Sequence, residues 1–240
     1  MLTVDEPAPG LRRLTLSNPG ARNALDPETL DQLEAAVADA AGVRCWMLRG
    51  AGGHFCSGWN LGALEELKPD GPLPDERIGA VFDQLQRVDA PSVAFIEGSA
   101  FGAGFELCFA CDFRVAASSA VFCIPPAKLG IVYAPKGIAR VASVIGAGRA
   151  KYMFLSARRV GADDALHMGI ADELGDEARA LALANELALT APLAVAGMKR
   201  IFRGEHGGIE ARRRESFFSE DAKEGLAALL EKRPPKFSGR

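Results

Sequence analysis

The stretch SAFGAGFELC, residues 99–108, places two glycines and one acid in an otherwise apolar run. Gly102 and Gly104 flank Ala103, and Glu106 follows them. Glycine permits either tight packing of two elements or close approach of a ligand to the backbone. The first N–H groups of a helix have no internal acceptor, so the second alternative predicts a site for an anion or a developing oxyanion. The residues alone leave both alternatives open.

Composition limits the classes of function. The 240-residue chain is 48% hydrophobic with a formal net charge of −3, which predicts one domain with a helical extension. This near-neutral balance excludes the basic field that recruits nucleic acid or acidic membrane surfaces. No apolar run approaches the ~20 residues of a membrane-spanning helix. Five cysteines without paired zinc spacing predict a reduced, cytoplasmic setting and no metal site.

Apolar periodicity predicts an α/β core followed by a helical carboxy-terminal part. A strand over 11–16 ends at a turn, Asp26-Pro27 opens a helix that Gly42 closes, and 43–48 forms the next strand, so the chain is predicted to begin β–α–β. The further predictions are an exposed loop over 68–77, helices over 78–88 and 103–111, strands over 92–97 and 112–116, and a long final helix over 209–232.

A second glycine-containing segment, FCSGWNL at 55–61, resembles the first in its setting at a bend. Folded together, the two segments would supply two N–H donors to one carbonyl oxygen. A dinucleotide-binding fingerprint is excluded, because Leu107 occupies the third glycine position of G-x-G-x-x-G.

Stretches along nearly the whole chain resemble the crotonase (enoyl-CoA hydratase/isomerase) superfamily, and within it are most similar to methylmalonyl-CoA decarboxylase. They are RNALD (22–26), FCSGWNL (55–61), EGSAFGAGFELCFACDFRVAA (97–117), KLGIVYAPKG (128–137), APLAVAGMK (191–199) and EKRPPKF (231–237). The resemblance implies an α/β fold: a spiral of ββα units over 1–190, then a helical trimerisation region over 191–240. It also implies a homotrimer or dimer of trimers, with acyl-CoA as substrate and no separate cofactor.

The resemblance also implies roles for single residues. The backbone N–H groups of Trp59 and Ala103 would form the oxyanion hole for a thioester carbonyl. A phosphate contact is implied for Arg22, backbone contacts for Ala24, and a terminal segment closing over the ligand, sometimes from a neighbouring subunit, for Lys236 and Phe237. The full set of expected coenzyme A contacts is Arg22, Ala24, Gly58, Leu61, Lys236 and Phe237.

The acids decide between reactions. Hydration in this superfamily uses two glutamates; Glu106 matches the first, but Pro126 stands where the second is expected. No acid lies between Asp112 and Asp163. Decarboxylation needs no base, because loss of CO₂ leaves an enolate that the oxyanion hole stabilises. Tyr133 falls where the decarboxylase resemblance places an active-site tyrosine.

Three functions therefore stay open. The main expectation is a lyase that decarboxylates a short malonyl-type CoA ester, with Glu106 and Tyr133 as catalytic residues. The alternatives are an enoyl-CoA hydratase or isomerase that works with Glu106, and a non-catalytic acyl-CoA-binding subunit.

Overall fold

The structure is a computed structural model and describes residues 1–60, 62, 68 and 70–240. The strands are β1 (Leu2–Ala8), β2 (Leu11–Leu16), β3 (Cys45–Gly50), β4 (Ser92–Ile96), β5 (Ser99–Phe101), β6 (Phe113–Ala116), β7 (Val121–Cys123), β8 (Val160–Gly161) and β9 (Glu173–Leu174). The helices are α1 (Pro27–Ala38), α2 (Pro74–Arg87), α3 (Ala103–Cys108), α4 (Pro126–Leu129), α5 (Pro135–Ser156), α6 (Ala162–Met168), α7 (Glu177–Ala188), α8 (Pro192–Phe202), α9 (Ile209–Phe217) and α10 (Glu220–Glu231).

Two sheets organise the chain. The larger has the order β1-β2-β3-β4-β6-β9, antiparallel between β1 and β2 and parallel elsewhere, and the smaller has the order β5-β7-β8. Cys56 bridges to Ala100, so the chain after β3 also runs beside the small sheet. Successive passes place one strand in each sheet before the next helix, as in β4-β5-α3 and β6-β7-α4. This arrangement confirms the expected α/β fold built from ββα units.

The core covers both faces of the large sheet, as a mostly parallel sheet requires. On one face, α1, α2, α3 and α5 bury apolar side chains such as Leu33, Phe82 and Phe105. On the other face, α7 packs Ala180 and Ala184 against β3 and β4. All five cysteines are free and buried, and Cys108 and Cys111 belong to the core on the face that α1, α2, α3 and α5 cover.

The amino-terminal strands differ from the prediction. The chain begins β–β–α, because β1 precedes β2 at the edge of the large sheet. Most β1 side chains are exposed, so this strand lacks the apolar alternation that marks a half-buried strand. Helix α1 does begin as predicted: the Asp26 side chain accepts the N–H of Thr29 at 2.8 Å, and Leu30 and Leu33 are buried.

Three predicted boundaries also change. Helix α2 begins at Pro74, inside the predicted loop, because the fixed φ of proline suits a first helical turn; Pro69 of that loop lies outside the described residues. Helix α3 ends at Cys108, before Cys111. The predicted final helix is two helices, since Ser219 caps α10 by accepting the N–H of Ala222.

In the described part of the chain, no single helix is long and apolar enough to span a bilayer. Helices α7 and α8 reach that length only as a pair bent by 106°. A cytoplasmic location stays a prediction.

Helices α8, α9 and α10 expose large apolar side chains. Phe202 is 89% exposed and Phe217 71%, and other exposed apolar residues of this region are Phe218, Leu226, Leu229 and Leu230. Several large exposed apolar side chains in one region favour an interaction site there. The division at 190/191 and the trimerisation role of 191–240 stay predictions.

We expect particles of three or six chains of 25.4 kDa, because assembly would remove this surface from water. Light scattering after size-exclusion chromatography checks the mass. The double variant Phe217→Ser, Leu229→Ser should shift the equilibrium towards smaller particles. A monomeric wild-type chain at micromolar concentration would contradict the expectation.

Candidate active site

Helix α3 lies in direct contact with the segment 55–58. A side chain on Gly104 would overlap the carbonyl oxygen of Cys56. That carbonyl accepts the N–H of Phe101 at 2.9 Å, and the N–H of Cys56 donates to Ser99 at the same distance. The packing alternative is therefore correct for Gly104.

At Gly102 and Gly58, glycine is needed because the backbone has a positive φ. Gly102 turns the chain from β5 into α3 with φ +53°, in the left-handed region that favours glycine. Gly58 has φ +99°, and a Cβ there would lie 2.7 Å from the carbonyl oxygen of Phe101 and 3.4 Å from the nitrogen of Ala103. The two glycine-containing segments therefore meet at Gly58.

This meeting places two backbone donors in adjoining segments. The carbonyl of Gly58 accepts from Leu25 and the N–H of Asn60 donates to Leu25, at 2.7 and 2.9 Å. Because neighbouring peptide groups of extended backbone alternate in direction, the N–H of Trp59 points away from Leu25. Ala103 is the first residue of α3, where N–H groups lack a helical acceptor. Among the described residues, neither N–H has a hydrogen-bond acceptor. Their oxyanion role stays a prediction.

Glu106 lies one helical turn after Ala103, so the two share a face of α3. The Glu106 side chain is buried, with 3% exposure of the residue. Its Oε2 accepts the hydroxyl of Tyr133 at 2.7 Å, and its Oε1 pairs with Nη1 of Arg140. Burial raises the pKa of the Glu106 carboxyl, while Arg140 and the Tyr133 hydrogen bond oppose the rise.

Tyr133 is held as a donor. Burial and the neighbouring Glu106 carboxylate raise the pKa of its phenol well above the ordinary value. The ring packs on Phe154, with centroids 5.3 Å apart. The structure thus brings together the two predicted catalytic residues, Glu106 and Tyr133.

Gly137 makes the contact between Glu106 and Tyr133 possible. A Cβ on Gly137 would lie 2.5 Å from Cε1 of Tyr133 and 2.6 Å from Oε2 of Glu106. Gly137 lies in the first turns of α5, where glycine is otherwise unfavourable. Gly137 lies within KLGIVYAPKG, and the signal for its role in the sequence is a glycine near the start of a helix.

Pro126 opens α4. It carries no group that exchanges a proton, so the position of the second glutamate remains without an acid. Arg140 was missed entirely, and so was Asp83, which pairs with Arg140 from α2. No pattern in the sequence indicates that Arg140 pairs with Glu106 or that Asp83 pairs with Arg140.

The expected coenzyme A residues divide into two groups. Arg22 is exposed, and its carbonyl accepts the N–H of Ser57 at 3.0 Å, which puts Arg22 and half-buried Ala24 beside Gly58. Leu61 lies outside the described residues.

Lys236 and Phe237 lie elsewhere in this chain. The N–H of Lys236 donates to Glu224 of α10 at 2.8 Å, and the Phe237 ring lies 3.4 Å from a Cβ built on Gly225. They pack on α10, so their closure over a ligand stays a prediction.

Asn23 is a further residue that sequence reasoning missed. Its side chain is buried, and Nδ2 donates to the carbonyls of Ala51 and His54 at 2.8 and 2.7 Å. Its Oδ1 accepts the N–H of Asn18. Asn23 thereby fixes the RNALD turn to the loop that precedes the segment 55–58. A φ of +58° is consistent with asparagine at this position.

The family model described as "Enoyl-CoA hydratase/isomerase" matches residues 7–240. The chain belongs to this family. It is a crotonase-superfamily enzyme of acyl-CoA metabolism, as the motifs along the chain led us to expect.

Named relatives agree with this assignment. The chain is 37% identical over 235 residues to a probable enoyl-CoA hydratase, echA6, of Mycobacterium tuberculosis, covering 94% of this chain and 95% of the relative. It is 36% identical over 253 residues to carnitinyl-CoA dehydratase of Escherichia coli K12, covering 95% and 94%. The solved structure of an enoyl-CoA hydratase from Bacillus anthracis matches with a TM-score of 0.89 at 27% identity, covering 100% of this chain and 99% of that one.

These relatives support the superfamily and not the closer resemblance to methylmalonyl-CoA decarboxylase. Their names agree better with the hydratase/isomerase alternative than with the decarboxylase expectation.

We expect Gly137→Ala to lower the free energy of unfolding by about 1–3 kcal/mol, because the added methyl displaces the buried Glu106–Tyr133 pair. Gly148→Ala, on the same helix with open space around it, should instead raise stability by roughly 0.5–1 kcal/mol. Urea unfolding followed by circular dichroism measures both. Equal effects of the two substitutions would show that Gly137 is not needed for the contact.

Proposed function

We propose that this chain adds water to, or shifts the double bond of, an enoyl-CoA thioester, with Glu106 as the carboxylate that carries the proton. The observation that carries the proposal is the position of Glu106. A buried carboxylate lies one helical turn from Ala103, whose N–H is available to a thioester oxygen.

The two backbone donors would bind the thioester carbonyl. As charge moves onto the carbonyl oxygen, the N–H groups of Trp59 and Ala103 would stabilise the enolate. Such a donor is worth about 10²–10³ in rate. The coenzyme A portion would extend along Arg22, Ala24 and Gly58, with Leu61, Lys236 and Phe237 as further proposed contacts.

A single carboxylate is sufficient where a proton removed in one half-reaction returns in the other. In hydration, Glu106 accepts a proton from water as the oxygen bonds to C3, and then delivers that proton to C2 as the enolate collapses. In isomerisation, Glu106 takes a proton from one carbon and returns it to the carbon two positions away. Both schemes balance without a second acid.

Glu106 keeps lone pairs free for this task. An ionised carboxylate offers about four acceptor positions. Tyr133 and Arg140 occupy two of them, one on each oxygen. The remaining positions are available to water or to a substrate proton.

The relatives support this choice. One is named as an enoyl-CoA hydratase and another as a carnitinyl-CoA dehydratase. Dehydration is the reverse of hydration, so both names describe the same proton movements at C2. We propose no cofactor beyond the coenzyme A of the substrate.

Decarboxylation of a malonyl-type CoA ester is the second candidate, and Pro126 is the observation that favours it. No acid stands at the second position, and the hydroxyl of Tyr133 is held close to Glu106. Loss of CO₂ would use the same oxyanion hole and would need no base.

We expect crotonyl-CoA, incubated together with methylmalonyl-CoA in D₂O, to gain D₂O or to exchange hydrogen at carbon. Mass spectrometry of the thioesters measures both substrates in one reaction. Glu106→Gln should lower kcat about 10²–10⁴-fold, the usual contribution of a general acid–base. The matched control is Glu28→Gln at an exposed position of α1, which should keep full activity.

The other outcomes are equally definite. Loss of CO₂ from methylmalonyl-CoA, with crotonyl-CoA unchanged, would replace the proposal with the decarboxylase. Tight binding of both thioesters without any product or exchange would overturn both candidates in favour of a binding protein.

A further inference from the structure

Arg140 is held by groups from two helices, α2 and α3. Its Nη1 pairs with Glu106 of α3, and its Nη2 pairs with Asp83 of α2. Its Nε donates to Gln86 of α2 at 2.9 Å, and its guanidinium lies 5.7 Å from the ring centroid of Phe82. The side chain of Arg140 is only 3% exposed. One buried cation is therefore shared between two carboxylates.

The two carboxylates are not equivalent. Glu106 is buried, whereas the side chain of Asp83 is 26% exposed and has a second cation, Lys136, at 3.1 Å. Lys136 is 73% exposed, so solvent screens it. Asp83 is therefore a second negative charge near Glu106, and the two carboxylates share the Arg140 guanidinium.

We propose that Arg140 and Asp83 are positioning residues that set, in opposite directions, how readily Glu106 accepts a proton. Arg140 favours the ionised carboxylate by direct pairing. Asp83 disfavours it by like charge. The balance of these two effects sets how readily Glu106 passes between its ionised and its protonated form. The meaning of this balance for catalysis rests on the proposed function; the balance itself does not.

The charged and titratable groups that act on Glu106 or on its two partners come from α2, from α5 and from the turn before α5. They are Asp75, Asp83, Tyr133, Lys136 and Arg140. Tyr133 remains a neutral donor, because its pKa is raised well above the ordinary value. Beside burial and the Tyr133 hydrogen bond, the charged groups with opposing effects on the pKa of Glu106 are therefore Arg140 and Asp83.

Substitutions of Arg140 and of Asp83 should shift the pKa of Glu106 in opposite directions. Arg140→Met leaves Glu106 buried with only the Tyr133 hydrogen bond, so its pKa should rise by about 1–3 units. Arg140→Lys keeps a cation and should reduce that rise. In Asp83→Asn, Arg140 pairs with Glu106 alone, so the pKa of Glu106 should fall. The fall should be smaller than the rise in Arg140→Met, because Asp83 is partly exposed.

The first measurement needs no substrate. Protein labelled with ¹³C at the glutamate carboxyl is titrated by NMR, and Glu106→Gln identifies the resonance of Glu106. The matched controls are Arg200→Met and Asp89→Asn, which break an exposed Arg–Asp pair and should leave the Glu106 titration unchanged. The second measurement is the acid limb of kcat/KM against pH for crotonyl-CoA, which should move in the same direction as the titration.

Opposite shifts in the Arg140 and Asp83 variants support the proposal, because a purely structural role would not reverse sign between them. Unchanged titrations, or shifts in one direction for both, would overturn it. Should Arg140→Met fail to fold, Arg140→Lys and Asp83→Asn still give the comparison.

The two proposals can fail separately. In one outcome, the Arg140 and Asp83 variants shift the pKa of Glu106 in opposite directions while the wild-type protein does not convert crotonyl-CoA. That result would refute the proposed function and leave the positioning role standing. Conversion of crotonyl-CoA without those shifts would refute the positioning role alone.

Discussion

The contact between α3 and the segment 55–58 is the constraint on which the site depends. Gly104 allows the helix to approach the carbonyl of Cys56, and Gly58 allows the segment to approach Ala103. Both glycines remove side chains that would separate two backbone surfaces. A catalytic arrangement made of peptide groups has no side-chain freedom with which to correct a displaced backbone, and a misplacement of about 1 Å can cost 10²-fold in rate. The geometry of the donors is thus a packing property of the fold.

Burial of the Glu106 carboxylate has a cost in free energy. An isolated ionised group in a protein interior costs several kcal/mol, and pairing offsets that cost. Glu106 receives its pairing from Arg140 and Tyr133, which belong to α5 and the turn before it. Because the same contacts that make burial tolerable also hold the carboxylate in place, stability and positioning come from one set of residues. Gly137 keeps the space in which they meet.

The sequence predicts those parts of the fold whose signals are local. Strand β2 and helix α1 follow from apolar patterning and from Asp26 with Pro27. Strands β5, β7 and β8 are two or three residues long, too short to show a period, and they depend on pairing between distant segments. The edge strand β1 buries too little apolar surface to be recognised. Local patterning therefore predicts the strands of the large sheet more readily than those of the small sheet.

The same distinction holds at the site. Trp59, Ala103, Glu106 and Tyr133 are identified by resemblance to the family, because each lies within a recognisable motif. Contacts that depend on the tertiary fold are not visible in this way. Arg140 pairs with Glu106, Asp83 pairs with Arg140 from another helix, and the buried amide of Asn23 donates to the carbonyl of His54. Lys236 and Phe237 lie in a motif, yet this chain places them on α10.

The shared burial of Glu106 and Arg140 constrains how such a chain can change over evolutionary time. Removing either residue alone leaves a buried charge without its partner, at a cost of about 3–5 kcal/mol, whereas an apolar replacement of both can be neutral. A descendant that loses one of the two residues should therefore lose the other as well. Glu106 and Arg140 thus form one electrostatic unit, although 34 positions separate them along the chain.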